Sequence, residues 1–207
     1  MNATLYFAGL TTSPLELVSF VLSVITVWLN IRQNHWAWLF AILSSSTYAG
    51  VFMHSRLYGD MALQFVFIAA AAWGWYQWVF TSTVEKPLRV TRLPPAGAFA
   101  CVFGWAVGFA LLGVFLHLYT DSDVPWIDGF LTAGSLLGTL LLSRKKLENW
   151  HVWIFLDILY VGLYAYKHLW LTAVLYGVFV FMAVRGLSTW KQDLDIDSLE
   201  PIDLRRL

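Results

Sequence analysis

The sequence predicts an all-α membrane protein with seven transmembrane helices, arranged as three, one and three, the two triplets forming a parallel repeat. Three observations carry that reading. Apolar residues make up 59% of the 207 residues and charged residues only 13%, about half the charged share of an ordinary soluble domain, which is too little to clothe a water-exposed surface. Seven apolar segments approach the roughly 20 residues that a spanning helix needs. The first three of those segments fall on the last three, without a gap, when shifted by 112 residues.

Taken in order, the spans are Pro14–Ile31, Trp36–Met53, Asp60–Phe80, Ala96–Leu118, Val124–Leu142, Trp150–Tyr166 and Leu169–Trp190. The chain thus divides into a first triplet over 14–80, a linker helix over 96–118, a second triplet over 124–190 and a tail over 191–207. The first thirteen residues lack Lys and Arg, unlike the positive start of a secretory signal, so the first span is expected to be retained. Most links are short, and the longest, Thr81–Pro95, holds three prolines. The tail mixes acidic and basic residues and reads as a solvated, partly disordered end.

The repeat rests on residue types that apolar composition does not supply. Ser23 meets Ser135, Arg32 meets Arg144, Trp38 meets Trp150, Tyr48 and Gly50 meet Tyr160 and Gly162, and Gly74 and Trp78 meet Gly186 and Trp190. Between Glu16 and Trp78 there are fourteen identities in 63 positions, and Glu16 itself faces Asp128. An odd linker helix returns the second triplet to the orientation of the first, a layout used by transporters whose site lies between their halves.

Orientation follows from Lys and Arg in alternate loops. One side receives Arg32, Lys86, Arg89, Arg92, Arg144, Lys145, Lys146 and Lys191, the other only Arg56 and Lys167. This places the N-terminus outside and the C-terminal tail in the cytoplasm.

Asp157 is the sharpest candidate for chemistry. An aspartate at mid-depth of a span costs about 2.5–3.5 kcal/mol on insertion scales and so faces protein or a wet cavity. Its helical neighbours at turn spacing are Trp150, Trp153, Tyr160 and Tyr164, which puts indoles, a carboxylate and phenols on one face. The bland alternative is an interhelical hydrogen bond with the rings as packing. The matching stripe in the first triplet is Trp38, Ala41, Ser45, Tyr48 and Phe52, so the halves differ at the carboxylate, as suits an asymmetric substrate. Gln64, a turn beyond Asp60, reads equally as ligand or as glue between helices, and Tyr176 holds its position in the second half. Of the run Trp73–Trp78, Trp75 is the residue expected to point inward and stack on a ring. Trp78 and Trp190 read as an aromatic belt at the interface.

Several classes lack their residues. His35, His54, His117, His151 and His168 sit near span ends without zinc-site spacing, and Cys101 is alone, so no metal is expected. There is no phosphate-binding Gly-rich loop, no cofactor motif, and with zero net charge no case for nucleic acid. A retinal protein needs a lysine deep in its last span. An intramembrane aspartyl protease needs two carboxylates sharing a site, and only Asp157 lies at mid-depth. A seven-helix receptor stays open but sits poorly with an internal repeat and small loops.

The run Glu148-Asn149-Trp150-His151-Val152-Trp153 leading to Asp157, then Thr172-Ala173-Val174-Leu175-Tyr176 and closing Gly186 and Trp190, resembles the second half of PnuC-type nicotinamide riboside transporters. Gly74-Trp75-Tyr76 with Trp78 resembles the end of the first half. The resemblance covers Glu16 to Trp190. It implies a SWEET-like three-one-three fold in a bacterial inner membrane, often trimeric, carrying a vitamin-type substrate by facilitated diffusion with phosphorylation inside the cell as the trap. It also brings Asn149 into the candidate site beside Trp150. Relatives of that fold take thiamine or riboflavin. The residues suit a cationic aromatic nucleoside: indole faces attract a cationic ring, a carboxylate balances it, and Gln and Tyr satisfy hydroxyls. Thiamine, also an aromatic cation, is not separated by that argument.

Overall fold

A computed structural model of the chain describes residues 5–7, 10–12, 14–54, 58–81, 88–166 and 170–199. It opens on a short antiparallel hairpin, β1 (Leu5–Phe7) and β2 (Leu10–Thr12), which the hydropathy pattern did not announce. Seven helices follow: α1 (Pro14–Ile31), α2 (Trp36–His54), α3 (Tyr58–Phe80), α4 (Pro95–Tyr119), α5 (Pro125–Ser143), α6 (Asn149–Tyr166) and α7 (Trp170–Leu199). Their bounds lie within two residues of the expected spans except at the end of α7. Three stretches, Pro95–Tyr119, Pro125–Ser143 and Thr172–Ile196, are long and apolar enough to cross a membrane on those criteria alone. The others carry the polar residues described below.

Local chemistry sets the helix ends. Pro95 and Pro125 open α4 and α5, where proline's fixed φ suits the first turn and its missing N–H is no loss. α5 also has Asp128 in its first turn, favourable against the helix dipole, with Ser122 Oγ donating to its carboxylate. α1 and α5 end alike. Asn34 N–H reaches back to Leu29 O (2.9 Å) and Gln33 N–H to Asn30 O (3.0 Å), while Lys146 N–H reaches Leu141 O (2.9 Å) and Lys145 N–H Leu142 O (3.0 Å). Both are Schellman endings, with Gln33 (φ 53°) and Lys145 (φ 47°) in the left-handed position that usually falls to glycine. These two residues are one repeat apart.

Helices α1, α2 and α3 pack in sequence, as do α5, α6 and α7, while α1 meets α7 and α3 meets α5 across the middle. A shift of 112 residues carries the α1–α7 contact onto α5–α3. α4 packs on α5 from outside, the backbones drawn together where Gly129 lies against Gly113: a Cβ on Gly129 would stand 2.6 Å from Gly113 N. Glycine also seats the large rings. A Cβ on Gly74 would come within 2.4 Å of Trp38, and one on Gly186 within 2.6 Å of Trp150, contacts again one repeat apart.

Two sequence-based expectations need correction. Trp78 and Trp190 are not an interfacial belt: both are buried, Trp190 completely. Trp78 Nε1 donates to Ser143 O and Trp190 Nε1 to Ile31 O, each at 3.1 Å. The helix-end carbonyls want donors, and each indole supplies one to the opposite half. The tail does not begin at residue 191, since α7 runs on to Leu199. Leu194 packs on the core and Asp193 accepts a hydrogen bond from Gln33 Nε2 (2.7 Å). The end of the α3–α4 link is also tied down. Thr91 and Lys146 form a parallel bridge, Leu147 N–H donates to Thr91 O (3.0 Å), and Leu93 N–H donates to Glu148 Oε2 (2.9 Å). Arg56, Lys86, Lys167, His168 and the tail beyond residue 199 lie outside the described residues, as do the side chains of Glu16, Phe52, His54 and Asp60.

Candidate functional site

A cavity of about 230 Å³ lies between the two triplets, lined by every helix except α4. Fourteen of its lining residues form pairs one repeat apart: Val27 and Thr139, Asn30 and Leu142, Trp38 and Trp150, Ala41 and Trp153, Ser45 and Asp157, Phe67 and Phe179, Ala71 and Ala183. The walls differ in chemistry. The first half offers Ser23, Thr26, Asn30, Ser44 and Ser45 with Trp38. The second offers Trp150, Trp153, Asp157, Tyr176 and Phe179, with Thr139 as its hydroxyl.

The polar wall is built by helical spacing. Ser19, Ser23, Thr26 and Asn30 recur at i, i+4, i+7 and i+11 along α1 and so share one face. Thr26 Oγ1 donates to Leu22 O (2.9 Å) and Ser23 Oγ to Ser19 O (2.8 Å). Ser23 Oγ, its proton given to Ser19 O, accepts from Ser44 Oγ (3.0 Å), and Ser19 Oγ is hydrogen-bonded to Thr47 Oγ1 (2.9 Å), so α1 and α2 are stitched by hydroxyls. Asn30 is buried, and its Oδ1 has no partner among the described residues; the same holds for Nε1 of Trp38 and of Trp150.

Asp157 sits on the opposite wall at 4% exposure. Among the described residues that line the cavity there is one carboxylate, Asp157, and no Lys, Arg or His. Trp153, one turn earlier, lies against α5 because Gly138 has no side chain: a Cβ there would stand 2.9 Å from the indole. Beyond Asp157, away from the α5–α6 turn, Tyr160 and Tyr176 (4.5 Å between centroids) and Tyr164 and Tyr176 (5.2 Å) form a stack, with Tyr160 OH 3.3 Å from Ser135 Oγ.

Of the candidate residues, Trp150, Trp153, Asp157 and Tyr176 are brought together on the cavity. Tyr160 stands behind Tyr176 in the ring stack. Asn149 is fully buried but faces the turn, its Nδ2 donating to Lys146 O (2.6 Å). Trp75 packs beside Trp36 (6.3 Å between centroids), and neither it nor Gln64 nor Tyr48 is among the lining residues. The residues that sequence reasoning passed over are Ser23, Thr26, Asn30, Ser44 and Thr139. Their signal was present: a polar row at helical spacing on an otherwise apolar span is as informative as a single aspartate.

The family model for the nicotinamide mononucleotide transporter matches residues 13–192. The chain is 23% identical to the nicotinamide riboside transporter PnuC of Escherichia coli, over 88% of this chain and 87% of that one. It is 27% identical to the riboflavin/roseoflavin transporter RibM of Streptomyces davaonensis, over 84% and 83%. Among solved structures, it is similar in fold to the crystal structure of the vitamin B3 transporter PnuC, with a TM-score of 0.69 at 23% identity over 86% of this chain and 81% of that one.

Proposed function

The chain belongs to the nicotinamide mononucleotide transporter family, of PnuC type, and from that premise we propose that it carries nicotinamide riboside across the bacterial inner membrane by facilitated diffusion. The observation that carries the choice of substrate is the lining itself, in which one carboxylate, Asp157, is described among indoles and no basic side chain is described. A pyridinium ring supplies the missing cation, lying against Trp153 and Trp150 with Asp157 as counter-charge. The ribose then faces Ser23, Thr26, Asn30 and Ser44, which offer the donors and acceptors its hydroxyls need. A phosphorylated nucleotide would bring negative charge beside Asp157 with no Arg or Lys among the described lining residues to receive it, so the unphosphorylated nucleoside is favoured. Phosphorylation after entry would then trap it.

Riboflavin is the second reading, favoured by the likeness to RibM. Against it stands a carboxylate that a neutral flavin does not use. Thiamine matches the charge but lacks the sugar for the hydroxyl wall.

We read the architecture as three helices, a linker and three helices in parallel repeat, as in SWEET-like proteins. The paired lining residues and the paired Trp–Gly contacts support it. The basic ends of α1, α3, α5 and α7 are assigned to the cytoplasm by the charge count, and the assembly to a homotrimer by family resemblance. The test is purified protein in liposomes given labelled nicotinamide riboside, thiamine or riboflavin without ATP or an ion gradient. Accumulation of the riboside to equilibrium with the outside is the expected result. Preference for riboflavin would overturn the substrate, and uptake that requires a sodium or proton gradient would overturn the mechanism.

A further inference from the structure

On the basic side of the cavity the two halves are joined twice by the same kind of contact. The indole donations of Trp78 to Ser143 O and of Trp190 to Ile31 O cross between halves in opposite directions, and both donors and both acceptors are one repeat apart. The two rings lie 6.4 Å apart. Trp78 meets cavity-lining Trp38 edge-on at 5.4 Å, and Trp190 meets Trp150 in the same way at 5.4 Å. Four indoles thus make a continuous floor, and a solute leaving by this side must part Trp78 from Trp190.

At the rim of that floor the left-handed residues of the two Schellman endings meet. Lys145 Nζ donates to Gln33 Oε1 (3.0 Å), and Gln33 Nε2 donates to Asp193 Oδ2 (2.7 Å). The same ammonium stands 4.8 Å from the Trp78 ring. Burial lowers the Lys145 pKa, and the nearby Asp193 charge works against that shift. For the turns alone glycine would serve better at both positions, because a side chain in the left-handed region is strained. The side chains present there bond to each other across the halves and to the extension of α7.

We propose that Gln33, Lys145 and Asp193 form a latch that holds the four-indole floor shut, setting the rate of passage without touching the substrate. This rests on reading the cavity as the transport site, and it assigns the three residues a positioning role. Opening must pull the ends of α1 and α5 apart from each other or from α7, and those are the three elements the latch ties.

The test compares Lys145→Met, which keeps the stem and removes the ammonium, with Asp193→Leu, which removes the acceptor, and with Arg144→Gln, an exposed neighbour on the same turn, as control. Initial uptake into liposomes is measured beside calorimetric affinity for the same substrate. Hydrogen–deuterium exchange is followed over 29–36 and 141–149. Loss of the latch is expected to raise the initial rate roughly three- to tenfold, the factor one net hydrogen bond is worth, with affinity within about twofold. Exchange is expected to rise in both turns together, and Arg144→Gln to change nothing. An unchanged or slower rate in Lys145→Met, or affinity and melting temperature falling with the rate, would overturn the latch. The exchange experiment needs no substrate. If the parent protein moved none of the three vitamins, the transport reading would fail, while faster exchange in both turns would still uphold the tie and unchanged exchange would still refute it.

Discussion

Replacing Asp157 by asparagine keeps the side chain's size and removes its charge, which separates the substrate's electrostatics from its fit. The carboxylate is almost wholly buried and faces a lining in which no cationic side chain is described, so little within the cavity screens it. A ring cation at about 5 Å, with an effective dielectric near 20, gains roughly 3 kcal/mol. Taking the ring out of water returns part of that, and a net loss of about 1–2 kcal/mol remains for the variant. This corresponds to roughly 5- to 30-fold weaker binding of nicotinamide riboside. The control is the reduced riboside, whose dihydropyridine ring has nearly the same shape and no charge; its affinity should change less than about twofold. Calorimetry on purified protein gives both affinities, and a melting curve on the same sample reports the fold. Equal losses for the two ligands would refute the electrostatic role. So would an unchanged affinity accompanied by a drop in melting temperature, which would make Asp157 a structural hydrogen-bonding residue.

Trp153→Phe should weaken binding less than Trp153→Leu, since a smaller aromatic face keeps part of a cation–π attraction worth about 0.5–2 kcal/mol; titration of both variants checks the order. Gly186→Ala should lower stability by about 1–3 kcal/mol through overpacking, because its Cβ meets Trp150 at 2.6 Å. Gly162→Ala, with nothing within 4 Å, should be neutral or stabilising by up to about 1 kcal/mol, and melting temperatures decide between them. A tag fused after Leu207 should resist protease added to intact cells, and cleavage without lysis would reverse the orientation.

The helices were legible because hydropathy reports the length of each apolar run, and the repeat was legible because Trp, Gly, Tyr and Arg coincide at one offset. Asp157 was legible because a lone carboxylate at mid-span is costly anywhere but against protein or a cavity. The end of α7 was not, since Asp193 and Leu194 lie in a charged, tail-like stretch and gain their reason for being helical only from Gln33 and the core. By sequence Trp78 and Trp190 read as interfacial because an indole near a span's end suits the headgroup region. That each donates to a carbonyl of the other half depends on how the triplets dock. The same blindness hid which candidates line the cavity: Gln64, Tyr48 and Trp75 are not among its described lining residues. Sequence by itself thus determined the seven helices, the pairing of residues at one offset and the cost of burying Asp157. Tertiary structure alone decided which apolar faces pack inside the chain and which point outward, because protein and lipid surroundings are both apolar and hydropathy scores them alike.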